Sequence, residues 1–230
     1  MKEKEYLSIK QKEQRKSYLE SKMTKYEIID NFLHEEEFTE LQAIFAPEGK
    51  RPNKNFDLTE EEKAKVAKMG FDGNMDGVQQ YMIEKMKIVS VPWKYNSTVA
   101  GHEWDDPEDW RSFHMSYIVY DLEHKIESRL YEYFKPILDK IEGEKLIRIK
   151  CNLFPNTEKV HEHAWHTDLK KSHKTALLSI NTCDGYTTLE DGTKIDSVAN
   201  RLLKFDGGLM HKSSTTSNQT VRINVNVTYE

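Results

Sequence analysis

Cysteine is nearly missing from this sequence. Cys151 and Cys183 are the two thiols in 230 residues, so no disulfide framework can hold the fold, and a reducing compartment suits it. Both thiols read as small buried hydrophobes. Proline is scarce as well, at six residues, and there is neither an internal repeat nor a low-complexity tract, so the organisation has to be read from periodicity. No stretch approaches the roughly 18 to 20 apolar residues of a membrane span, and the opening MKEKEYLSIKQKEQRKSYL carries no apolar core of a secretion signal. The expectation is a cytoplasmic protein, in host cytoplasm if the source is viral, with no membrane partner. A basic excess over the whole chain is lacking too. With 34 Lys and Arg against 39 Asp and Glu the net charge is -5, which excludes a whole-body nucleic-acid footprint.

What the chain does have is a core. Hydrophobic residues make up 37% and charged residues 32%, with 24 aromatic side chains that a disordered chain would lack. The length favours one domain with elaborations. Residues 1 to 25 hold eight Lys and Arg against four Glu, leaving 26 basic against 35 acidic groups elsewhere, so 1–24 reads as a basic arm or helix.

The character of the chain changes near residue 145. Residues 25–145 read as a mainly helical support region: Phe38, Leu41 and Phe45 follow helical spacing, as do Val78, Met82 and Met86. Thr59 with Glu62 resembles a capping box. Leu122, Ile126, Leu130, Phe134, Leu138 and Ile141 form a long stripe, with Asp121 as N-cap and a kink at Pro136. Between these helices, 90–116 holds Trp93, Trp104 and Trp110 with no sustained period, as in a long ordered loop.

From 146 the spacing switches to two. In LIRIKCNLF, Ile147, Ile149, Cys151 and Leu153 alternate with Arg148, Lys150, Asn152 and Phe154; in VRINVNVTY, Val221, Ile223, Val225 and Val227 alternate with Arg222, Asn224, Asn226 and Thr228. KTALLSINT, TTLEDGTKI and NRLLKFDGG add strand-like runs between turn signals at Asp184-Gly185, Asp191-Gly192 and Gly207-Gly208. Residues 146–230 therefore read as a β-sandwich or barrel. If its apolar faces pack on the N-terminal helices, the polar faces line an interior able to hold a ligand.

The strongest chemical signal is VHEHAWHTDL. His166 and Asp168, two apart, point the same way from a strand and can hold one ion. His211, after the Gly207-Gly208 break, supplies a third ligand. Two histidines with one carboxylate on a β scaffold form the facial triad of non-haem Fe(II) oxygenases, with positions left open for a bidentate cosubstrate and O2. Arg222 stands on the polar face of the last strand, where a guanidinium can grip a carboxylate in bidentate fashion. The spacing His-x-Asp, 42 residues, His, ten residues, Arg is far more specific than His-x-Asp alone.

On these residues, 146–230 resembles the double-stranded β-helix core (jelly-roll or cupin-like) of the Fe(II)- and 2-oxoglutarate-dependent oxygenases. KYEIIDNFLHEEEFTELQAIF at 25–45 is similar to the opening strand and helix of prolyl-4-hydroxylase-like members, and RIKCNLF, HAWHTD and NTCDGYTTLEDGTKI are similar to small bacteriophage-encoded members. The resemblance implies an α+β fold with N-terminal helices packed on the major sheet. It implies Fe(II) bound by His166, Asp168 and His211, with 2-oxoglutarate held through its C5 carboxylate by Arg222. Asn152 is implied as a cosubstrate contact. Where relatives often carry a tyrosine this chain has Phe154, and Ser179 or Asn224 is the expected substitute for its hydroxyl.

The implied reaction is hydroxylation of a C–H bond by O2, with 2-oxoglutarate converted to succinate and CO2. A peptidyl proline or another amino-acid side chain is the favoured substrate. A nucleobase or small molecule is the alternative, and so is a non-catalytic barrel holding a metal or acidic ligand. A zinc hydrolase is a further alternative and requires a carboxylate beside the metal, for which Glu162 has the parity. His161 and His163 have the opposite strand parity to His166 and Asp168, so without a bulge they face away from the metal. Trp165 is expected as a wall of the site or a core residue, and Arg148 and Lys150 on a solvated strand face or at the barrel mouth. The oligomeric state is not legible in the sequence.

Overall fold

The structure is a computed structural model that describes residues 26–45, 64–65, 67–68, 91–100, 109–141, 143 and 145–230. The expected arm at 1–24, the capping box at Thr59 and Glu62, the Val78, Met82 and Met86 stripe and Trp104 lie outside the described residues.

The elements follow the periods of the sequence. Tyr26–Ile29 forms β1 and Glu35–Phe45 forms helix α1. Three glutamates in the first turn of α1 complement its dipole, and the His34 backbone N–H donates to the Glu37 carboxylate at 3.2 Å, closing the helix start. The helix buries Phe38, Leu41, Ile44 and Phe45, each contributing about 1.5 to 3 kcal/mol in apolar burial. Strands β2 (Lys94–Asn96), β3 (His114–Asp121) and β4 (Ile126–Glu127) follow, then a 3-10 turn at Tyr131–Phe134 that runs into helix α2 (Lys135–Lys140).

The long helix expected from Leu122 to Ile141 does not form. Asp121 ends a strand, and its carboxylate accepts from the His124 N–H at 2.9 Å in a turn closed by Lys125 at φ 53°. β4 then pairs back on β3 through Tyr120↔Glu127 and Asp121↔Ile126. Leu122 and Ile126 are 41% and 39% exposed, so two residues of the apparent stripe never faced a core. The rest does: Leu130, Phe134 and Ile141 are buried and Leu138 packs half-buried against the core, joined there by Ile137. Pro136 sits in the first turn of α2, where its missing N–H costs nothing, and starts a helix instead of kinking one.

The remaining strands are β5 (Leu146–Pro155), β6 (Lys174–Ser179), β7 (Tyr186–Leu189), β8 (Lys194–Asp196), β9 (Leu202–Asp206), β10 (His211–Ser213) and β11 (Val221–Tyr229). Every named pair is antiparallel. Eight strands form the major sheet in the order β1-β9-β6-β11-β5-β3-β2, with β4 on β3; β10-β7-β8 form the minor sheet. The chain before β6 extends the minor sheet through bridges from Glu162 to Ser214 and from His166 to His211.

The two faces of the major sheet divide as the alternation requires. Ile149, Cys151, Leu178, Ile223, Val225 and Val227 join α1, α2 and the 3-10 turn in the main core. Asn200 anchors this layer: its side-chain amide accepts from the Leu33 N–H and donates to the Leu33 carbonyl, both at 2.9 Å. Between the sheets lies a smaller core of Leu177, Leu189, Ile195, Leu203, Phe205 and Leu209. Next to it the interior turns polar, along β5 and β11. This is a double-stranded β-helix with helices on the outer face of the major sheet.

The Trp-rich stretch resolves into two roles. Trp93 packs against the main core, and Trp110 is 61% exposed.

Candidate active site

The polar faces of β5 and β11 line a cavity of about 350 Å³, whose walls include Arg148, Lys150, Asn152, Phe154, Asn224 and Asn226. His166, Asp168 and His211 come to it from the opposite side. His166 and His211 exchange both backbone hydrogen bonds, N–H to carbonyl, at 2.9 Å. Such a directly opposed pair holds two side chains on one face of the sheet, and their rings stand 4.6 Å apart between centroids. One ligand atom from each of His166, Asp168 and His211 falls within 4.8 Å of the others.

A bulge decides which residues face inward. His161 pairs with Thr215 and His163 with Ser213, but the next pair is His166 with His211, which places one extra residue between 163 and 166. The insertion flips the parity, so His163 and His166 share the interior side. The expectation that His163 faces away is thereby corrected: it is buried, its ring lies 5.3 Å from Phe154, and Nδ1 meets the Ser213 hydroxyl at 2.9 Å. Trp165 turns outward under the Lys212 ammonium, 4.8 Å from its ring, and does not wall the site. Glu162 also turns outward. Its carboxylate binds Lys212 and Lys194 and so is not the carboxylate beside the metal that a hydrolase would need.

The three ligands are prepared for a cation. Nδ1 of His166 and Nδ1 of His211 each meet the carbonyl oxygen two residues earlier, of Ala164 and Leu209, at 3.2 Å. A carbonyl only accepts, so Nδ1 carries the proton and Nε2 keeps its lone pair. Burial, with help from His211, pushes the His166 imidazole down to about 4, so it is neutral at pH 7. Burial alone would raise the Asp168 carboxyl, yet His211, Arg148 and a 2.9 Å hydrogen bond from the Asn226 amide hold it well below the usual carboxylate range. A neutral imidazole beside an ionised carboxylate is the protonation state a metal ion demands. Two nitrogens and one carboxylate oxygen fit Fe(II) and leave positions for other ligands.

Arg222 is the second part of the site. It is 1% exposed, with Nη1 donating to the Ser214 carbonyl at 3.0 Å and Nη2 to the Thr187 hydroxyl at 2.9 Å. Nε has no partner, and among the described residues no carboxylate pairs with the guanidinium. Burial pushes its pKa down to about 10, so it stays charged. Its guanidinium carbon lies 5.5 Å from the centroid of Phe154, which it opposes in the β11–β5 ladder. Phe154 and Thr187 line the cavity directly in front of it. Gly185 closes the back: a Cβ there would stand 2.6 Å from the arginine Cδ and 2.5 Å from the Thr215 carbonyl, so only glycine leaves room for this side chain. A buried cation held by neutral oxygens lacks its counter-charge. The seat fits a carboxylate.

Of the other expected contacts, Asn152 lines the cavity and donates to the Asn224 side-chain oxygen at 3.0 Å. Asn224 lines it too. Ser179 shares the face of Leu177 and pairs with Asn224 in register, but the cavity walls do not reach it. Arg148 and Lys150 line the cavity as well. Two participants were not singled out from the sequence. Asn226 holds Asp168, and the alternation of β11 had already placed it on the polar face. His114 lines the cavity and stacks on Phe154 at 5.8 Å, with no local signal to mark it.

No family model matches the chain, and no curated protein matches it. Solved structures do. A prolyl-4-hydroxylase from Pseudomonas putida is similar over 90% of this chain and 94% of its own, at 13% identity and a TM-score of 0.45. A prolyl hydroxylase from Trichoplax adhaerens, solved with a hypoxia inducible factor peptide, covers 89% of this chain and 82% of its own at 15% identity and a TM-score of 0.48. The non-heme alpha ketoglutarate dependent epimerase SnoN of nogalamycin biosynthesis covers 89% and 77% at 12% identity, with a TM-score of 0.50. The likeness to SnoN is one of fold: this chain shares its double-stranded β-helix architecture.

Proposed function

We propose that this chain is an Fe(II)- and 2-oxoglutarate-dependent dioxygenase that hydroxylates a C–H bond, with residues 146–230 as the catalytic core and 25–145 as its support. The observation that carries this reading is Arg222, a buried guanidinium with no carboxylate partner among the described residues, set behind the cavity that His166, Asp168 and His211 enter. Iron bound by those three residues would supply the O2 chemistry, coupling oxidation of 2-oxoglutarate to succinate and CO2 with hydroxylation of the substrate.

The protein's own part is positioning and charge. His166 and His211 present Nε2 in the correct tautomer, and Asp168 is kept ionised by its neighbours. Arg222 supplies a desolvated, bidentate partner for the distal carboxylate of 2-oxoglutarate. Asn152 and Asn224 offer amide groups along the same wall. Phe154, in front of the guanidinium, keeps water from it and contributes a ring face. No side chain need act as nucleophile or general base.

The resemblance of residues 25–45 to prolyl-4-hydroxylase-like proteins supports a peptidyl proline or other amino-acid side chain as substrate. An anaerobic titration tests the core of the reading. Metal-free protein given Fe(II) and then 2-oxoglutarate should develop the weak visible band of the chelate, and Arg222→Ala should need far more 2-oxoglutarate to show it. Iron binding without any band would remove the cosubstrate from the proposal.

A further inference from the structure

The cavity carries more positive charge than this reading uses. Among the described residues its walls hold one carboxylate, Asp168, and two cations, Arg148 and Lys150, two residues apart on the interior face of β5. Arg222 adds a third behind Phe154 and Thr187. A divalent metal brings two positive charges and a 2-oxoglutarate dianion cancels them. Three cations then face one carboxylate, and the loaded site keeps a surplus of two.

The surplus has a definite place. Arg222 belongs to the cosubstrate, and Arg148 lies 3.6 Å from Asp168 with its Nε lacking a partner. Lys150 is the uncommitted one: among the described residues it forms neither a hydrogen bond nor an ion pair. Burial and the neighbouring Arg148 push its ammonium down to about 8, which leaves it mostly charged at pH 7 and poorly solvated. His114, 3% exposed, lines the same cavity, with its ring toward the Thr98 backbone and stacked on Phe154. Burial, and then Lys150, push His114 down to about 3, so its ring is neutral. Buried polar groups are ordinarily satisfied, and these face a cavity.

We propose that the primary substrate carries an acidic group, a carboxylate or a phosphate, and that Lys150 binds it inside the cavity, with Arg148 beside it. The site rests on the oxygenase reading above, since the count of charges assumes metal and 2-oxoglutarate. An acidic amino acid or a small phosphorylated molecule satisfies it. A basic rim for nucleic acid is a poorer fit, because the Arg148 side chain is 16% exposed and points into an enclosure of about 350 Å³.

The test is calorimetric and needs no turnover. The full chain, loaded with Mn(II) and saturated with 2-oxoglutarate, is titrated with L-aspartate, L-glutamate and inorganic phosphate, and with L-asparagine and L-glutamine as neutral matches. At least one acid should bind saturably, the amino acids at least tenfold more tightly than their amides. Lys150→Met should weaken that acid tenfold or more while leaving the 2-oxoglutarate Kd within twofold of wild type, and Lys150→Arg should keep the binding. Preference for the amino acids assigns a carboxylate, and preference for phosphate a phosphoryl group. The proposal is overturned if 2-oxoglutarate binds normally but no acid binds, if acid affinity is the same in Lys150→Met, or if Lys150→Met loses 2-oxoglutarate as Arg222→Met does. Failure of wild-type protein to bind 2-oxoglutarate at all refutes the oxygenase reading itself, and this proposal with it.

Discussion

Replacing Arg222 by methionine separates a ligand-binding arginine from a structural one, because the two roles predict opposite signs. The guanidinium is fully buried, makes two hydrogen bonds to neutral oxygens and has no counter-ion among the described residues. Without ligand it is a desolvated charge that the fold tolerates at a cost, so an apolar side chain of similar length should leave the stability of the unliganded protein within about 1 kcal/mol of wild type, or raise it. The Ser214 carbonyl and Thr187 hydroxyl lose their donor, which costs about 1 kcal/mol each and offsets part of the gain. With 2-oxoglutarate present, two charge-assisted bonds to the distal carboxylate are lost. At roughly 1.5 to 3 kcal/mol each this amounts to about 3 kcal/mol or more, a loss on the order of 100-fold in Kd. Urea unfolding of the unliganded chain and calorimetric titration of the Mn(II)-loaded chain read the two quantities separately. A drop of about 3 to 5 kcal/mol in stability with unchanged 2-oxoglutarate affinity, the signature of a broken buried ion pair, would falsify the assignment. Gly185→Ala approaches the same seat from behind: with a Cβ 2.6 Å from the arginine Cδ, it should weaken 2-oxoglutarate and leave metal affinity nearly unchanged.

Other predictions concern the metal ligands and the frame around them. Asn226→Ala removes the 2.9 Å hydrogen bond to Asp168 and should cost about 10- to 100-fold in Fe(II) affinity, read by competition with a chromophoric chelator; no change would mean that Asn226 does not orient the carboxylate. Removing Ala164 erases the extra residue between the His163 and His166 pairs and should turn His166 and Asp168 out of the cavity, so Co(II) binding disappears while the far-ultraviolet circular dichroism remains; retained Co(II) spectra would contradict the bulge. Asp184 accepts from the Thr216 hydroxyl at 2.7 Å, the Ser217 N–H at 2.8 Å and the Ser217 hydroxyl, and these bonds outweigh burial to bring its carboxyl down to about 2. Because the folded value lies below the usual 3.8, its contribution is present above pH 4 and fades as pH falls toward 2. Asp184→Ala should therefore lose roughly 1 to 2 kcal/mol at pH 7 and show a flatter acid limb in urea unfolding; an unchanged limb would refute this account.

Much of the site was readable because strands impose a period of two. The alternation in VRINVNVTY put Arg222, Asn224 and Asn226 on one face, and the same rule put Arg148, Lys150, Asn152 and Phe154 on the interior face of β5; both rows line the cavity or stand directly behind it. The failures came where local pattern admits two solutions. Leu122 and Ile126 fit a helical stripe, but apolar spacing says nothing of whether a partner exists, and a turn at Asp121 with Lys125 in the left-handed region pairs β4 with β3 instead. His163 was assigned to the wrong side because a bulge is a property of pairing between two chain segments, here 161–166 and 211–215, and leaves no mark within either one.

The sequence by itself determined the kinds of groups present and the faces they share within each strand: a His-x-Asp pair, a later histidine and an arginine on an alternating strand. Tertiary structure alone decided which faces meet. The hydrogen bond between Asn152 and Asn224 joins residues 72 apart, the His166–His211 pair sets the ligands across one ladder, and closure of the two sheets desolvates Arg222 and Lys150 together. Burial and pairing are relations between distant segments, and they turn a list of polar side chains into a site with an ionised Asp168, a neutral His166 and desolvated cations.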